Sequence, residues 1–185
     1  MGQSKYLNND KGINMESWIQ TYTGKHFDIF NPKIEDINIS DIAHGLAMQC
    51  RFNGHCNQFY SVAEHCVRMA GWDLPGDPKQ RLFHDAAETY MGDIPSPIKQ
   101  NFPEFNKIEE NLLNIIFKKF KIPLYNKDIV KEADLIMLST ESRDLMNNPN
   151  DWRSLPTPYH EIIIPWSWQL ARKSFLIVAE QLGII

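Results

Sequence analysis

The stretch Leu82–Lys99, LFHDAAETYMGDIPSPIK, decides how this chain is read. Leu82, Ala86 and Tyr90 fall on one line of a helix and Phe83, Ala87 and Met91 on the next, so a core-facing side is legible. Upstream, Asp77-Pro78 supplies a cap and a proline for the first helical position, and downstream Gly92 and the triplet Pro95-Ser96-Pro97 forbid continuation. The spacing therefore predicts one helix from Pro78 to Met91. His84 and Asp85 stand side by side in it, with no apolar role. Helical neighbours project about 100° apart, so both reach one cation only if the helix lies beside it and other elements supply further ligands.

Two other residues suit that part. His65, in SVAEHC, sits between Val62 and Met69 at helical spacing and points partly inward. Asp134 lies among Ala133, Leu135, Ile136 and Met137, where a carboxylate is costly to bury unless it is paired or ligates a metal. Two imidazoles and two carboxylates form a mixed nitrogen and oxygen shell suited to Mn²⁺, Fe²⁺, Co²⁺ or Zn²⁺, with room for water or substrate. Glu88 lies four residues after His84, on the same helix face, within reach of a water as general acid or base. Asp93, directly after Gly92, reads either as a turn residue or as part of the site. Lys99 is either a phosphate cation or a solvated surface lysine, and Phe52 either stacks on a base or fills core. Cys50, Cys56 and Cys66 form neither an even framework nor a CxxC pair and are expected as reduced thiols. The pairs His55-Cys56 and His65-Cys66 match no closed zinc pattern.

The rest of the chain supplies the frame. Residues 18–30 carry aromatic and β-branched residues around Thr23-Gly24-Lys25, which predicts a short hairpin with Gly24 in its turn. Helices are expected from Ser40 or Asp41 to about Cys50 and from Ser61 to Trp72, the second opened by a Ser61/Glu64 capping box. Others are expected over 104–121, over 126–146 with Asn126 as cap, and over 166–183, ending at Gly183. Residues 147–165, rich in proline and aromatics, read as a surface loop that would serve as a lid. Residues 1–14 read as a flexible tail, with Met15 as an alternative start, and 15–185 as one domain. The fold class is all-α, a helical bundle with a small N-terminal β-hairpin.

With 43% apolar and 23% charged residues the chain is of ordinary globular composition. A net charge of −4 argues against a nucleic-acid backbone as partner, because phosphate contacts need clustered Lys and Arg. No apolar run is long enough to span a bilayer and the polar start has no signal-peptide segment, so no membrane partner and a cytoplasmic location are expected. Tyr6 stands where the myristoylation pattern needs Ser or Thr.

SVAEHC (61–66), HDAAETYMGDIPSPIK (84–99) and ADLIMLSTESRDLM (133–146) together resemble the H…HD…D pattern of HD-domain metal-dependent phosphohydrolases. The branch they resemble contains bacterial 5′-deoxynucleotidases and phage dATP triphosphohydrolases, and DIAHGLAMQCRFNGH (41–55) is similar to the phage-type members. The resemblance spans residues 18 to 146 and implies an HD-domain helical bundle. It implies that His65, His84, Asp85 and Asp134 hold a divalent transition metal (Mn, Co, Zn or Fe), with additional Mg²⁺ as an option. It further implies that Glu88 and Asp93 handle the attacking water and that Arg51 lies near sugar and phosphate. His44 and His55 match recurring positions, with structural or pocket roles, and His160 is expected on the surface. The implied activity is cleavage of deoxynucleotides at the α-phosphate, foremost dATP or another dNTP to deoxynucleoside and triphosphate. The alternatives are a 5′-deoxynucleotidase acting on dNMPs and a catalytically silent nucleotide-binding module. A homo-oligomer, dimer or hexamer, and a host-cytoplasm location in the case of phage origin, also follow from the resemblance. The Gly-Tyr-Pro triplet expected of cyclic-dinucleotide hydrolases does not occur.

Overall fold

In the computed structural model, residues 17–123, 126–149 and 154–185 are described. The 1–14 tail and the alternative start at Met15 lie outside them. The N-terminal hairpin is present: β1 (Trp18–Gln20) pairs antiparallel with β2 (His26–Asp28), Ile19 opposite Phe27, and Gly24 stands in the turn. Phe27, fully buried, stacks on Tyr90 at 3.9 Å. The hairpin turn is tied to helix α1 (Ile39–Met48), where the buried Asp41 carboxylate accepts from the Thr23 amide at 2.7 Å and hydroxyl at 2.9 Å. Asp41 is thus engaged elsewhere than at a helix cap. The cap is Asn38, whose side chain accepts from the Ser40 amide, so α1 begins before the expected Ser40 or Asp41.

Helix α2 (Val62–Gly71) runs through the centre, packed against α1, α3 (Pro78–Phe83), α7 (Lys127–Leu145) and α8 (Trp168–Gln181). Its capping box is half realised. Ser61 accepts from the Glu64 amide, but the Glu64 carboxylate turns away to Arg68 and to the Trp166 amide. Two clusters flank α2. The larger joins α1, α2, α6 (Pro103–Lys119) and α8 around Leu46, Phe83, Leu112 and Phe175; the smaller joins α2 and α7 around Tyr60, Met69 and Met137. On α8 the inward residues Ala171, Phe175 and Ala179 recur every fourth position. Burying one such Phe contributes about 1.5–3 kcal/mol.

The expected helix over Pro78–Met91 is broken. Asp77 caps α3, accepting from the Lys79 amide, and α3 stops at Phe83. Across the next residues the backbone bonds tighten to i→i−3, with Ala86 donating to Phe83, Glu88 to Asp85 and Tyr90 to Ala87, before α4 (Glu88–Met91) closes the segment. His84-Asp85 therefore sits on a turn between two short helices. A second difference is α5 (Ser96–Asn101), which starts at the Pro95-Ser96-Pro97 triplet. Proline ends one helix but is well suited to the first turn of the next. The three late helices fall where expected, with Asn126 and Ser167 as caps of α7 and α8.

The loop expected over 147–165 as a lid falls partly on residues 150–153, which lie outside the described residues. Its described part is strapped along α7 and α2: Ser139 donates to the Pro156 carbonyl and Arg143 to the carbonyls of Tyr159 and Glu161. The Tyr159 amide donates to Thr140, that of Ile163 to Asp144, and Arg68 donates to the Ile164 carbonyl. Among the described residues, no helix is long and apolar enough to cross a membrane.

Candidate metal centre

The four expected ligands converge from three parts of the fold: His65 from α2, His84 and Asp85 from the turn after α3, and Asp134 from α7. His65 Nε2 lies 3.2 Å from His84 Nε2, 3.5 Å from Asp134 Oδ1 and 3.7 Å from Asp85 Oδ2; His84 Nε2 lies 3.1 Å from Asp85 Oδ1. Donors bound to one ion at about 2.0–2.2 Å are separated by roughly 3.0–3.6 Å at tetrahedral or octahedral angles, so His65, His84 and Asp134 form a group that could hold a cation, with Asp85 beside His84. The charge pattern fits as well. Two imidazole nitrogens facing each other at 3.2 Å need a hydrogen or a metal between them, because two bare lone pairs repel. Burial disfavours charge on His84, but Asp85 beside it outweighs this and raises its pKa well above the usual histidine range. Burial likewise opposes the Asp85 charge, yet His84, His65 and Arg51 hold its pKa far below the usual carboxylate range.

A second overlapping donor group is Cys66, His84 and Asp85. Cys66 is buried in the larger apolar cluster, and burial pushes its thiol up to about 11. A thiolate is the ligand form of cysteine, so the nitrogen and oxygen set is the better match. All three cysteines are free, as expected, and the Cys50 and Cys56 sulfurs approach to 3.6 Å.

The centre opens into a cavity of about 800 Å³. His65 lies behind its wall, fully buried, whereas Arg51, Phe52, Glu88, Asp93, Lys99 and Asp134 line it. Phe52 follows Arg51 in a tight turn with φ of 56°, in the left-handed region, which separates it from α1 and turns it to the cavity instead of the core. Glu88, 4% exposed, gives one oxygen to Lys99 at 3.3 Å; the other, Oε2, is buried with no partner among the described residues. Burial, then the charges of Asp85 and Asp93, raise the Glu88 pKa well above the usual range. Asp93 is raised too, chiefly by burial. It is placed by Gly92 (φ 85°, ψ 156°), a conformation essentially confined to glycine, and its amide donates to Gln49. Lys99 is no solvated lysine: it joins Glu88 to Glu109, at 3.3 and 2.7 Å.

His44 stacks on Tyr22 at 3.8 Å and lines a separate cavity of about 270 Å³, away from the candidate metal centre. His55 and His160 are exposed. One residue of the centre had gone unread. Glu141, fully buried on α7, receives His65 Nδ1 at 2.6 Å and Arg51 Nη2 at 2.9 Å. Its signal was its position seven residues after Asp134, two helical turns along the same face.

No model of a known family matches the sequence. The chain is 43% identical over 129 residues to the uncharacterized protein YfdR of Escherichia coli K12, an overlap of 70% of this chain and 72% of YfdR. It is 29% identical over 143 residues to the uncharacterized protein RCAP_rcc00048 of Rhodobacter capsulatus, covering 70% of this chain and 73% of that one. By the extent and identity of the first match, the chain belongs to the family of YfdR.

Proposed function

We propose that this protein is a metal-dependent phosphohydrolase of the HD-domain type that cleaves deoxynucleotides at the α-phosphate. The observation that carries the reading is the grouping of His65, His84 and Asp134, with Asp85 beside His84, at a nucleotide-sized cavity, next to a carboxyl oxygen of Glu88 that lacks a partner among the described residues. When bound by those four residues, a divalent cation lowers the pKa of water and offsets charge at phosphorus. Arg51, on the cavity wall, holds a phosphate oxygen, and Phe52 offers a face on which a base stacks. Glu88, whose pKa is raised by burial and by the charges of Asp85 and Asp93, acts as the acid that gives a proton to the 5′-oxygen of the leaving deoxynucleoside. Asp93 orients the attacking water from the opposite end of α4. Lys99, bound to one oxygen of Glu88 and to Glu109, holds the Glu88 carboxyl group in place.

The leading substrate is a dNTP, dATP first, released as deoxynucleoside and triphosphate. A dNMP substrate is the second reading, favoured by one observation: the lysines on the cavity wall are already paired, Lys99 with Glu88 and Glu109, Lys127 with Glu110 and Lys131 with Asp134. A panel of dNMPs and dNTPs with Mn²⁺, Co²⁺, Zn²⁺ or Mg²⁺, with Asp85→Ala in parallel, separates these readings. Triphosphate release from dATP, lost in the variant, is the expected result. Phosphate release from dNMPs selects the second reading, and no hydrolysis of any nucleotide by the metal-loaded protein leaves a silent binding module.

A further inference from the structure

We infer that Glu141 is a positioning residue with two simultaneous tasks: it fixes His65 in the tautomer able to ligate a cation, and it seats Arg51 at the cavity wall. The inference rests on the metal-centre reading above, and its tests are chosen to be read without catalysis.

The Glu141 side chain is fully buried, and each of its oxygens has one partner, Oε1 with His65 Nδ1 at 2.6 Å and Oε2 with Arg51 Nη2 at 2.9 Å. A carboxylate accepts and cannot donate, so the hydrogen of that short contact sits on His65 Nδ1. The lone pair of His65 is then on Nε2, the nitrogen that faces His84, Asp85 and Asp134. His84 obeys the same rule with another acceptor: its Nδ1 faces the Arg81 carbonyl at 2.8 Å, which also only accepts. Both imidazoles therefore turn Nε2 toward the shared centre, one held by a backbone carbonyl and the other by Glu141.

The second oxygen does different work. Arg51 is held between Glu141 and Asp85, the latter 3.6 Å from Nη1, and its Nε is buried without a partner among the described residues. A cation bound by Asp85 would compete with Arg51 for that carboxylate, and Glu141, the nearer partner at 2.9 Å, would still hold the guanidinium. Burial works against the Glu141 charge, but Arg51 and His65 beside it keep its pKa below the usual range. A glutamine cannot replace this group. Its single carbonyl oxygen serves either Arg51 or His65, and its amide then points a hydrogen at the other. With the oxygen on Arg51, the amide donates to His65 Nδ1 and moves the imidazole hydrogen to Nε2, into the centre.

The test compares wild type with Glu141→Gln and Glu141→Asp, reading Mn²⁺ affinity by chelator competition and inorganic phosphate binding to the Zn²⁺-loaded protein. Partners of metal-bound histidines set affinity by about 10–100-fold, so Mn²⁺ binding to folded Glu141→Gln is expected to weaken by that amount, with Glu141→Asp recovering part of it. Phosphate binding is expected to weaken by about tenfold as Arg51 loses its seat. Mn²⁺ affinity within twofold of wild type in the folded glutamine variant overturns the first task, and unchanged phosphate affinity overturns the second. Where the variants fail to fold, nitrogen-15 spectra of the histidines in metal-free wild type decide: a hydrogen on His65 Nδ1 is expected, and an Nδ1 without one overturns the inference. Absence of nucleotide hydrolysis leaves these readouts standing, so failure of the functional reading is told apart from failure of this one.

Discussion

The two sides of α2 are built on opposite principles. On one, Ala63, Val67 and Ala70 pack into the apolar cluster shared with α1 and α8. On the other, His65 and the residues facing it from α7 and from the turn after α3 bury several charges, each held by its neighbour. Apolar burial scales with the area each side chain removes from water, whereas a buried polar network stands or falls as a unit. The first side should therefore control stability and the second chemistry, and substitutions can break or sharpen that division.

The largest expected effect is on the polar side. Asp85→Ala should lower metal-dependent hydrolysis by at least about 10³-fold, since the residue is both a proposed ligand and the partner of His84 and Arg51. Its thermal midpoint should move less than that of the next variant. Phe175→Ala, on the apolar side, should cost about 3–5 kcal/mol in denaturant unfolding, while the folded fraction keeps its Mn²⁺ affinity. A weakened affinity there would show that the two sides are coupled.

Glu88→Gln should lower the rate by about 10²-fold or more with little change in KM. The sign with pH follows from its raised pKa. The rate should fall as pH rises through the pKa of folded Glu88, and the variant should lose that limb. Stability should move the same way. The unfolded chain gives up this proton first, so wild-type stability falls as pH rises from the ordinary glutamate range through the folded pKa. Glutamine removes the fall, and a chemical-denaturation series against pH measures it. The smallest effect is at the edge of the apolar side, where Ser167→Ala removes the cap that accepts from the Leu170 amide and should cost about 1 kcal/mol without touching the centre.

How much of this was legible in the sequence follows the same division. The hairpin, the caps at Asp77 and Asn126 and the late helices rest on local rules, and local rules are written in neighbouring residues. The break at His84 was not, because its apolar stripe continues across it: Leu82, Phe83, Ala86, Ala87 and Tyr90 are all buried, as in an unbroken helix. What changes is the hydrogen-bond register, to which spacing is blind. Asp134 betrayed itself by standing among apolar residues. Glu141, flanked by Thr140, Ser142 and Arg143, carries no local mark of burial, and its partners 76 and 90 residues away in the chain explain why it is buried.

The strap from Leu155 to Trp166 has a consequence for how the molecule opens. Amide hydrogens of Tyr159 and Ile163 are held by side chains of α7, and that of Trp166 by Glu64 on α2. These three should exchange with solvent only when the helix that holds each one loosens, although they belong to a surface segment that carries Ile162 and Ile164 at 70% and 75% exposure. The strap thus fastens the start of α8 to helices that precede it by far in the chain, making the last third of the protein part of the same cooperative unfolding unit as the metal centre.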